Sequence, residues 1–387
     1  MESAMDFELN REQKAIQKAA WEFAQGEFDR EYALECDRNH RFPQEAYEKA
    51  CELGLIGVHF PEEYGGQGYG VMENALVVEA LCRKDPGLGI AINLRSFGSE
   101  IILRFASEEQ KQRILPGVTT GKIVTGAAFT EPDHGSDISD LDTTAVRDGD
   151  HWVINGVKTF ITNGLDAHYM TVLAKTDPTA MPSYRGLSMI LVDTSSDGFD
   201  ATDLGDKMGQ KMMATTEVSL KNVRVPLEEV VGRESRGFYQ TLEFFDESRI
   251  AIAAQALGGA QAAFDRALIH VKQRRQFGRR LADFQVTQHK IADMATKIET
   301  ARILTYKSAW TFDHKGANPS LTSMAKYYAA RVATEVAEEA VQLLGGYGYF
   351  LDNEVERIYR DIRVTEIYEG TKEIQKNTIA SYLLGKE

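Results

Sequence analysis

Apolar residues recur every three or four positions toward both ends of the chain, while short runs of β-branched and aromatic residues fill its middle. Near the start, REQKAIQKAAWEFAQGEFDREYALECD sets Ile16, Ala19 or Ala20, Phe23 and Phe28 amid charges, a spacing that predicts helix. PQEAYEKACELGLIG is amphipathic and closes on glycine, as a helix stop does. The connection FPEEYGGQGYG is rich in glycine, and Gly65, Gly66, Gly68 and Gly70 could cradle phosphate. It follows Pro61 rather than a strand and lacks a Lys-Ser/Thr ending, so it reads as a structural turn. Residues 1–120 therefore form a helical N-terminal region. Across residues 121–236 the pattern is β: HWVINGVKTFIT predicts two strands flanking an Asn155-Gly156 hairpin turn. HYMTVLAKT, GLSMILVDT and TTEVSLKNVRVP continue it, predicting a β-barrel or sandwich. Over residues 237–387 the helical period returns in long stripes: Ala253, Leu257, Ala260, Phe264 and Leu268; Ile291, Met294, Ile298 and Ala301; Met324, Tyr328, Val332, Val336 and Ala340. Stripes of that length predict a C-terminal four-helix bundle, with alanine permitting close helix approach.

A chain of 387 residues has room for two or three compact units. Its 43% apolar and 26% charged content is that of a globular protein, and no run approaches the ~20 apolar residues a membrane span needs. The opening MESAMDFELNREQKAIQKAA resembles neither a secretory signal nor a transit peptide, so a cytoplasmic location is expected. A net charge of -14 disfavours wrapping a nucleic-acid backbone. Cys36, Cys51 and Cys82 are odd in number and lack C-x-x-C spacing, which predicts buried, reduced thiols rather than a disulfide framework or zinc site. The histidines show no H-x-x-x-H pairing, and no metal is predicted.

One acid stands out by position: IYEGTKEIQ sets Glu369 between an aromatic residue and a glycine, just before the first turn of a helix. By itself it is either a solvated loop glutamate or a functional carboxylate. The surrounding motifs bear on the choice. FTEPDHGSD followed by GVKTFITNG resembles the flavin-contacting β domain of acyl-CoA dehydrogenases, and QLLGGYGYFLDNEVERIYRDIRVTEIYEGT is similar to that family's C-terminal signature. ESRIAIAAQALGGAQAAFDRAL and RRQFGRRLADFQVTQHKIADM resemble two of its bundle helices, and FPEEYGGQG has its look near the start. The resemblance runs through essentially the whole chain in order.

It implies a helical N-terminal domain, a β-barrel middle domain and a C-terminal four-helix bundle, assembled as a homotetramer. It implies FAD-dependent α,β-dehydrogenation of an acyl-CoA thioester: Glu369 takes the α-proton, the β-hydrogen leaves as hydride to flavin, and electrons pass to electron-transferring flavoprotein. Such a base needs a dry pocket that raises its basicity, and the charge developing on the thioester oxygen needs donors, here the Glu369 N–H and a flavin hydroxyl. Gly370 lets the chain approach the ligand closely, Tyr368 adjoins the acyl group, and Thr371 caps the following helix. By the same resemblance Phe129, Thr130, Phe160 and Thr162 line the isoalloxazine, whereas their plain reading is sheet core. Arg274 and Phe277, with Gln342 and Gly346, hold the adenosine and diphosphate of FAD on a neighbouring subunit; Thr371 and Glu373 are its last contacts. Ser136, Asp246, Ser248 and Arg249 match CoA-side positions, Ser136 also bordering the flavin.

The chain departs from the family pattern at His134 and Asp140, where small residues are usual; either the loop is rearranged or His134 faces solvent. A branch of the family carries its base where Ser248 stands, with Glu247 one step earlier; serine cannot serve, which favours Glu369. In INLRSFGSEIILRF, Arg95 and Glu100 occupy positions that are apolar or small in fatty-acyl members. They either make surface pairs, Glu100 with Arg104, or contact a dicarboxylic or alicyclic acyl group, with Glu100 as a second acid/base. Rival readings are an acyl-CoA oxidase using dioxygen and a flavin-bearing DNA-associated protein on the same fold.

Overall fold

The computed structural model describes residues 8–385. Seven helices come first: α1 (Arg11–Glu27), α2 (Arg30–Arg38), α3 (Gln44–Glu52), α4 (Val71–Lys84), α5 (Pro86–Leu94), α6 (Ser99–Phe105) and α7 (Glu108–Thr119). The first amphipathic stretch breaks into two helices because the Asp29 side chain accepts the N–H groups of Glu31 and Tyr32 and so starts α2. Helix α3 ends as expected, with Gly54 in the left-handed region at φ 69°. Helix α4 is apolar on several faces and lies between α1, α8 and α9 (the last two defined below), which is why its interior reads Ala75 to Cys82 with little polarity. All three cysteines are buried and free. The glycine-rich connection is a turn: Gly65 and Gly68 adopt φ 81° and 70°, and Gly70 opens α4.

The middle forms one curled seven-stranded sheet: β1 (Thr125–Ala128), β2 (Thr144–Asp148), β3 (His151–Thr162), β4 (Tyr169–Lys175), β5 (Leu187–Asp193), β6 (Phe199–Asp203) and β7 (Thr215–Pro226). The order is β1-β4-β2-β3-β7-β6, with β5 also on β4. Asn155-Gly156 is not the predicted turn. β3 runs straight through it, and the chain reverses instead at Gly149 (φ 64°), pairing Asp148 with His151. Gly156 serves close packing: the register against β7 slips between Ile154 and Gly156, and a Cβ there would stand 2.3 Å from Thr143 Oγ1.

The C-terminal region holds α8 (Gly237–Gln273), a small hairpin of β8 (Arg275–Gln276) and β9 (Arg279–Arg280), then α9 (Gln285–Lys315), α10 (Pro319–Leu344), α11 (Val355–Ile362) and α12 (Lys372–Leu384). α8, α9 and α10 pack on one another and α12 packs on α10, giving the four-helix bundle. The core shared by α8, α9, α10 and α11 is mostly alanine with Leu257, Met294, Ile298, Val332 and Val336. A second core joins helices to sheet through Ile101, Ile102, Phe129, Leu173 and Phe244. No helix among the described residues is long and apolar enough to cross a membrane.

Candidate active site

Glu369 sits in the turn that leads from α11 into α12, and its φ of 55° is left-handed. Ser248 on α8 donates to the Glu369 carboxylate at 2.6 Å. Burial pushes the carboxyl above its usual range, opposed by the Ser248 hydrogen bond and by the positive charges of Arg249 and Lys326. Three carbonyls of the turn are held from three helices. Arg249 Nε donates to Glu369 O at 2.9 Å, Lys326 Nζ to Tyr368 O at 2.8 Å and Gly370 O at 2.7 Å, and Gln375 Nε2 to Glu369 O and Gly370 O at 3.0 Å. The Glu369 amide N–H makes no hydrogen bond within the described chain. Tyr368 donates to Gln255, which donates in turn to Asn93 at 2.6 Å. Gly370 has φ 89°, and Thr371 caps α12 through the Ile374 N–H. Glu373 stands exposed in the first turn of that helix.

The residues implied for CoA divide. Ser248 and Arg249 bond Glu369 directly, and Asp246 is buried two residues earlier, its carboxyl pushed up by burial to about 6. Ser136 lies exposed, away from them in contact, in the loop between β1 and β2. That loop is locally organised: Glu131 and His134 exchange backbone hydrogen bonds at 3.1 Å. His134 lies 3.5 Å from Asp142 instead of reaching into solvent, and Asp140 binds Lys175 and Ser183. Glu131, His134 and Asp142 bring donor atoms together, but Glu131 is already committed to Lys158 at 2.7 Å and to the amides of Asp142 and Thr143.

Among the flavin-implied residues, Phe129 is buried against Phe244 and Phe245, Thr130 O accepts from Thr159 N at 2.9 Å, and Thr162 pairs with Thr215. Phe160, by contrast, is 69% exposed at φ 57°, so it is not sheet core. Arg274 and Gly346 face a separate cavity of about 800 Å³, shared with His270, Leu281 and Tyr347. Arg274 stacks over Tyr347 at 5.4 Å, and no carboxylate pairs with it among the described residues. Phe277, in the hairpin beside it, is 93% exposed, and Gln342 is exposed at the end of α10.

Arg95 and Glu100 point to different neighbourhoods. The Arg95 guanidinium pairs with Asp166 at 2.7 Å and stacks over Phe42 at 4.3 Å. Glu100 does not pair with Arg104, which instead holds Glu247 at 2.5 Å. Its side chain is largely enclosed beside His59 (3.8 Å), and burial followed by the charge of Glu247 pushes its carboxyl to about 8. His59 is kept neutral by burial, so its contacts with Glu100 and Glu247 are not ion pairs. His59, Lys158, Glu131, Lys326 and Gln375 were not singled out from sequence. Only Lys326 left a signal, a lysine at helical spacing in the otherwise uncharged buried run Thr322, Lys326, Ala329 and Ala333.

A helical N-terminal region, a curled sheet and a helical C-terminal bundle, with a half-buried carboxylate raised in the turn before the last helix, frame the class. The chain belongs to the acyl-CoA dehydrogenase family: family models described as the N-terminal, middle and C-terminal domains of acyl-CoA dehydrogenase match residues 10–122, 126–223 and 235–384. It is similar to the short-chain-specific acyl-CoA dehydrogenase of Clostridium acetobutylicum, 40% identical over 97% of this chain and 99% of the relative. It is also similar to the caffeyl-CoA reductase-Etf complex subunit CarC of Acetobacterium woodii, 38% identical over 98% and 100%. Among solved structures it resembles a glutaryl-CoA dehydrogenase from Mycobacterium smegmatis in complex with FADH2, with TM-score 0.91, 29% identity and coverage of 98% and 96%. As a member of this family the protein is an oxidoreductase.

Proposed function

We propose that this chain binds FAD and oxidises an acyl-CoA thioester to its enoyl-CoA, with Glu369 as the base that removes the α-proton. The observation that carries the reading is the half-buried Glu369 carboxylate, raised by desolvation, oriented by Ser248 and opposed in that rise by nearby Arg249 and Lys326. A carboxylate so placed is a stronger acceptor for a carbon-bound proton than a solvated one. The unbonded Glu369 N–H is available to the thioester oxygen as negative charge builds there.

The residues present fit FAD. Phe160 offers an uncovered aromatic face next to Thr162 on the wall that ends in Phe129 and Thr130. Arg274 is a guanidinium without a carboxylate, beside Gly346, where the absence of a side chain leaves room for a diphosphate. Bound there, FAD supplies the acceptor for the β-hydrogen as hydride. Phe277, Tyr349 and Phe350 are exposed aromatics around the Arg274 cavity, which supports covering by further subunits in a homotetramer. Electron-transferring flavoprotein is the proposed acceptor, supported by the Etf-complex name of one relative. Of the two acyl-end residues, Arg95 is engaged by Asp166 and Phe42, while Glu100 is held as a neutral acid. That combination supports an acyl group without a terminal carboxylate.

The test is anaerobic bleaching of the flavin by short, branched, cyclic and dicarboxylic acyl-CoA thioesters. Glu369→Gln keeps its flavin and loses roughly 10²–10⁴-fold in bleaching rate; near-normal bleaching in that variant refutes the assignment. Rapid reoxidation of the reduced protein by air points to an oxidase instead.

A further inference from the structure

Lys326 is fully enclosed, and its Nζ meets no carboxylate at hydrogen-bond distance; its partners are the carbonyls of Tyr368 and Gly370. A buried ammonium satisfied only by carbonyls is costly, since neutral acceptors replace its hydration incompletely. The two carbonyls it binds bracket Glu369. That residue holds a left-handed backbone at φ 55°, which an L-amino acid with a side chain keeps only where its surroundings over-determine it. Arg249 and Gln375 hold the carbonyl between, so side chains of α8, α10 and α12 converge on three consecutive peptide groups. There is no slack in this clamp: a Cβ on Gly370 would stand 2.8 Å from Gln375 Nε2 and 3.1 Å from Arg249.

We propose that Lys326 is a positioning residue for Glu369, fixing the peptide groups on both sides of it; this rests on the reading of Glu369 as the base. The charged groups that face Lys326 are Glu369, Arg249 and Glu366; burial lowers its ammonium to about 7 against the attraction of Glu369, so below about 7 it also lends Glu369 a positive charge. Arg249 already serves Glu369 O, and Glu366 lies on the near side of the turn beside Lys372 at 3.6 Å. Lys326 is therefore the only cation among the described residues that bonds both carbonyls flanking the base.

The experiment uses purified holoenzyme and an acyl-CoA that bleaches the wild-type flavin, with the anaerobic bleaching rate followed against pH. Lys326→Met retains its flavin absorbance and half-saturates at a similar acyl-CoA concentration, but its maximal rate falls about 10²-fold, the scale of a misplaced reacting group. The pH at which its rate is half-maximal moves up, because the cation that favours the ionised base is gone. Gln375→Leu, which removes a neutral donor, slows bleaching without moving that pH, and Lys326→Arg, which keeps cation and donors, leaves the pH in place. A wild-type rate and half-maximal pH in Lys326→Met, with Glu369→Gln inactive, overturns the Lys326 assignment alone. Unimpaired bleaching in Glu369→Gln overturns the base assignment instead. If Lys326→Met does not fold, Gln375→Leu and Lys326→Arg decide: a wild-type rate in the first, or a displaced pH in the second, overturns the proposal.

Discussion

Glu100 illustrates how one side chain can be read two ways from sequence and only one way once folded. Four residues before Arg104, it suggested a surface pair; in the structure Arg104 belongs to Glu247, and Glu100 is enclosed beside a neutral histidine. Its carboxyl, about 4.5 in an unfolded chain, rises to about 8 when folded, so the folded state holds a proton that the unfolded state has released. The stability this contributes is full below about 4.5 and is lost as pH rises through about 8, with a limiting slope of ~1.4 kcal/mol per pH unit. Glu100→Gln, permanently neutral, therefore loses less thermal stability than wild type between pH 6 and pH 8.5, which paired melting curves measure. Parallel curves for the two proteins would show that Glu100 is ionised throughout. Glu369 was legible because its motif is local, whereas the environment of Glu100 is assembled from His59 and Glu247, far along the chain in both directions.

Elements were legible where one face repeats and misread where a glycine serves packing. The alanine stripes of α8 and α10 appear in the bundle core as expected, but Asn155-Gly156 read as a turn because dipeptide chemistry carries no information about Thr143 across the sheet. The same strand hides a second feature. Lys158 on β3 is wholly buried, donates to Phe129 O at 3.1 Å and pairs with Glu131, tying β3 to the segment that carries Phe129 and Thr130. Burial lowers Lys158 to about 8, against the attraction of Glu131. Breaking a buried pair from one side strands the other charge, so Lys158→Met should cost about 3–5 kcal/mol in urea unfolding. Adding Glu131→Gln removes the stranded charge while keeping one acceptor for the amides of Asp142 and Thr143, and the double variant should recover part of the loss. A double variant less stable than Lys158→Met would mean that Glu131 acts chiefly through those amides.

In the whole molecule, α11 is the junction: Arg357 binds Asp85 of the N-terminal helices at 2.8 Å, and Arg360 reaches Asp37 and the Met208 carbonyl beyond the sheet's β6. None of these partners is near α11 in sequence, so the motif RIYRD was legible as family signature but not as a brace. The order of the three regions was legible, because each has its own period; the cavity shared by Arg274 and Gly346 was not, because its lining comes from α2, α8 and the end of α10. Glu369 is held by Ser248 and Arg249, while Arg274 and Gly346 line a cavity that includes neither Glu369 nor any residue of the seven-stranded sheet. If that cavity holds the diphosphate of FAD, Arg274 acts on retention alone. Arg274→Ala should then bind FAD about 10–100-fold more weakly, the scale of a lost charge-assisted hydrogen bond, as read by flavin fluorescence on dilution. Supplied with excess FAD, the variant should still bleach with acyl-CoA at close to the wild-type rate, because no hydrogen bond, ion pair or ring contact among the described residues links Arg274 to the Glu369 turn. If flavin sits across a subunit boundary, the variant should also shed flavin and fall to smaller species over the same dilution range in sedimentation velocity. Unchanged retention would move the diphosphate elsewhere, and retention lost without any change in assembly would put both halves of the cofactor within one chain.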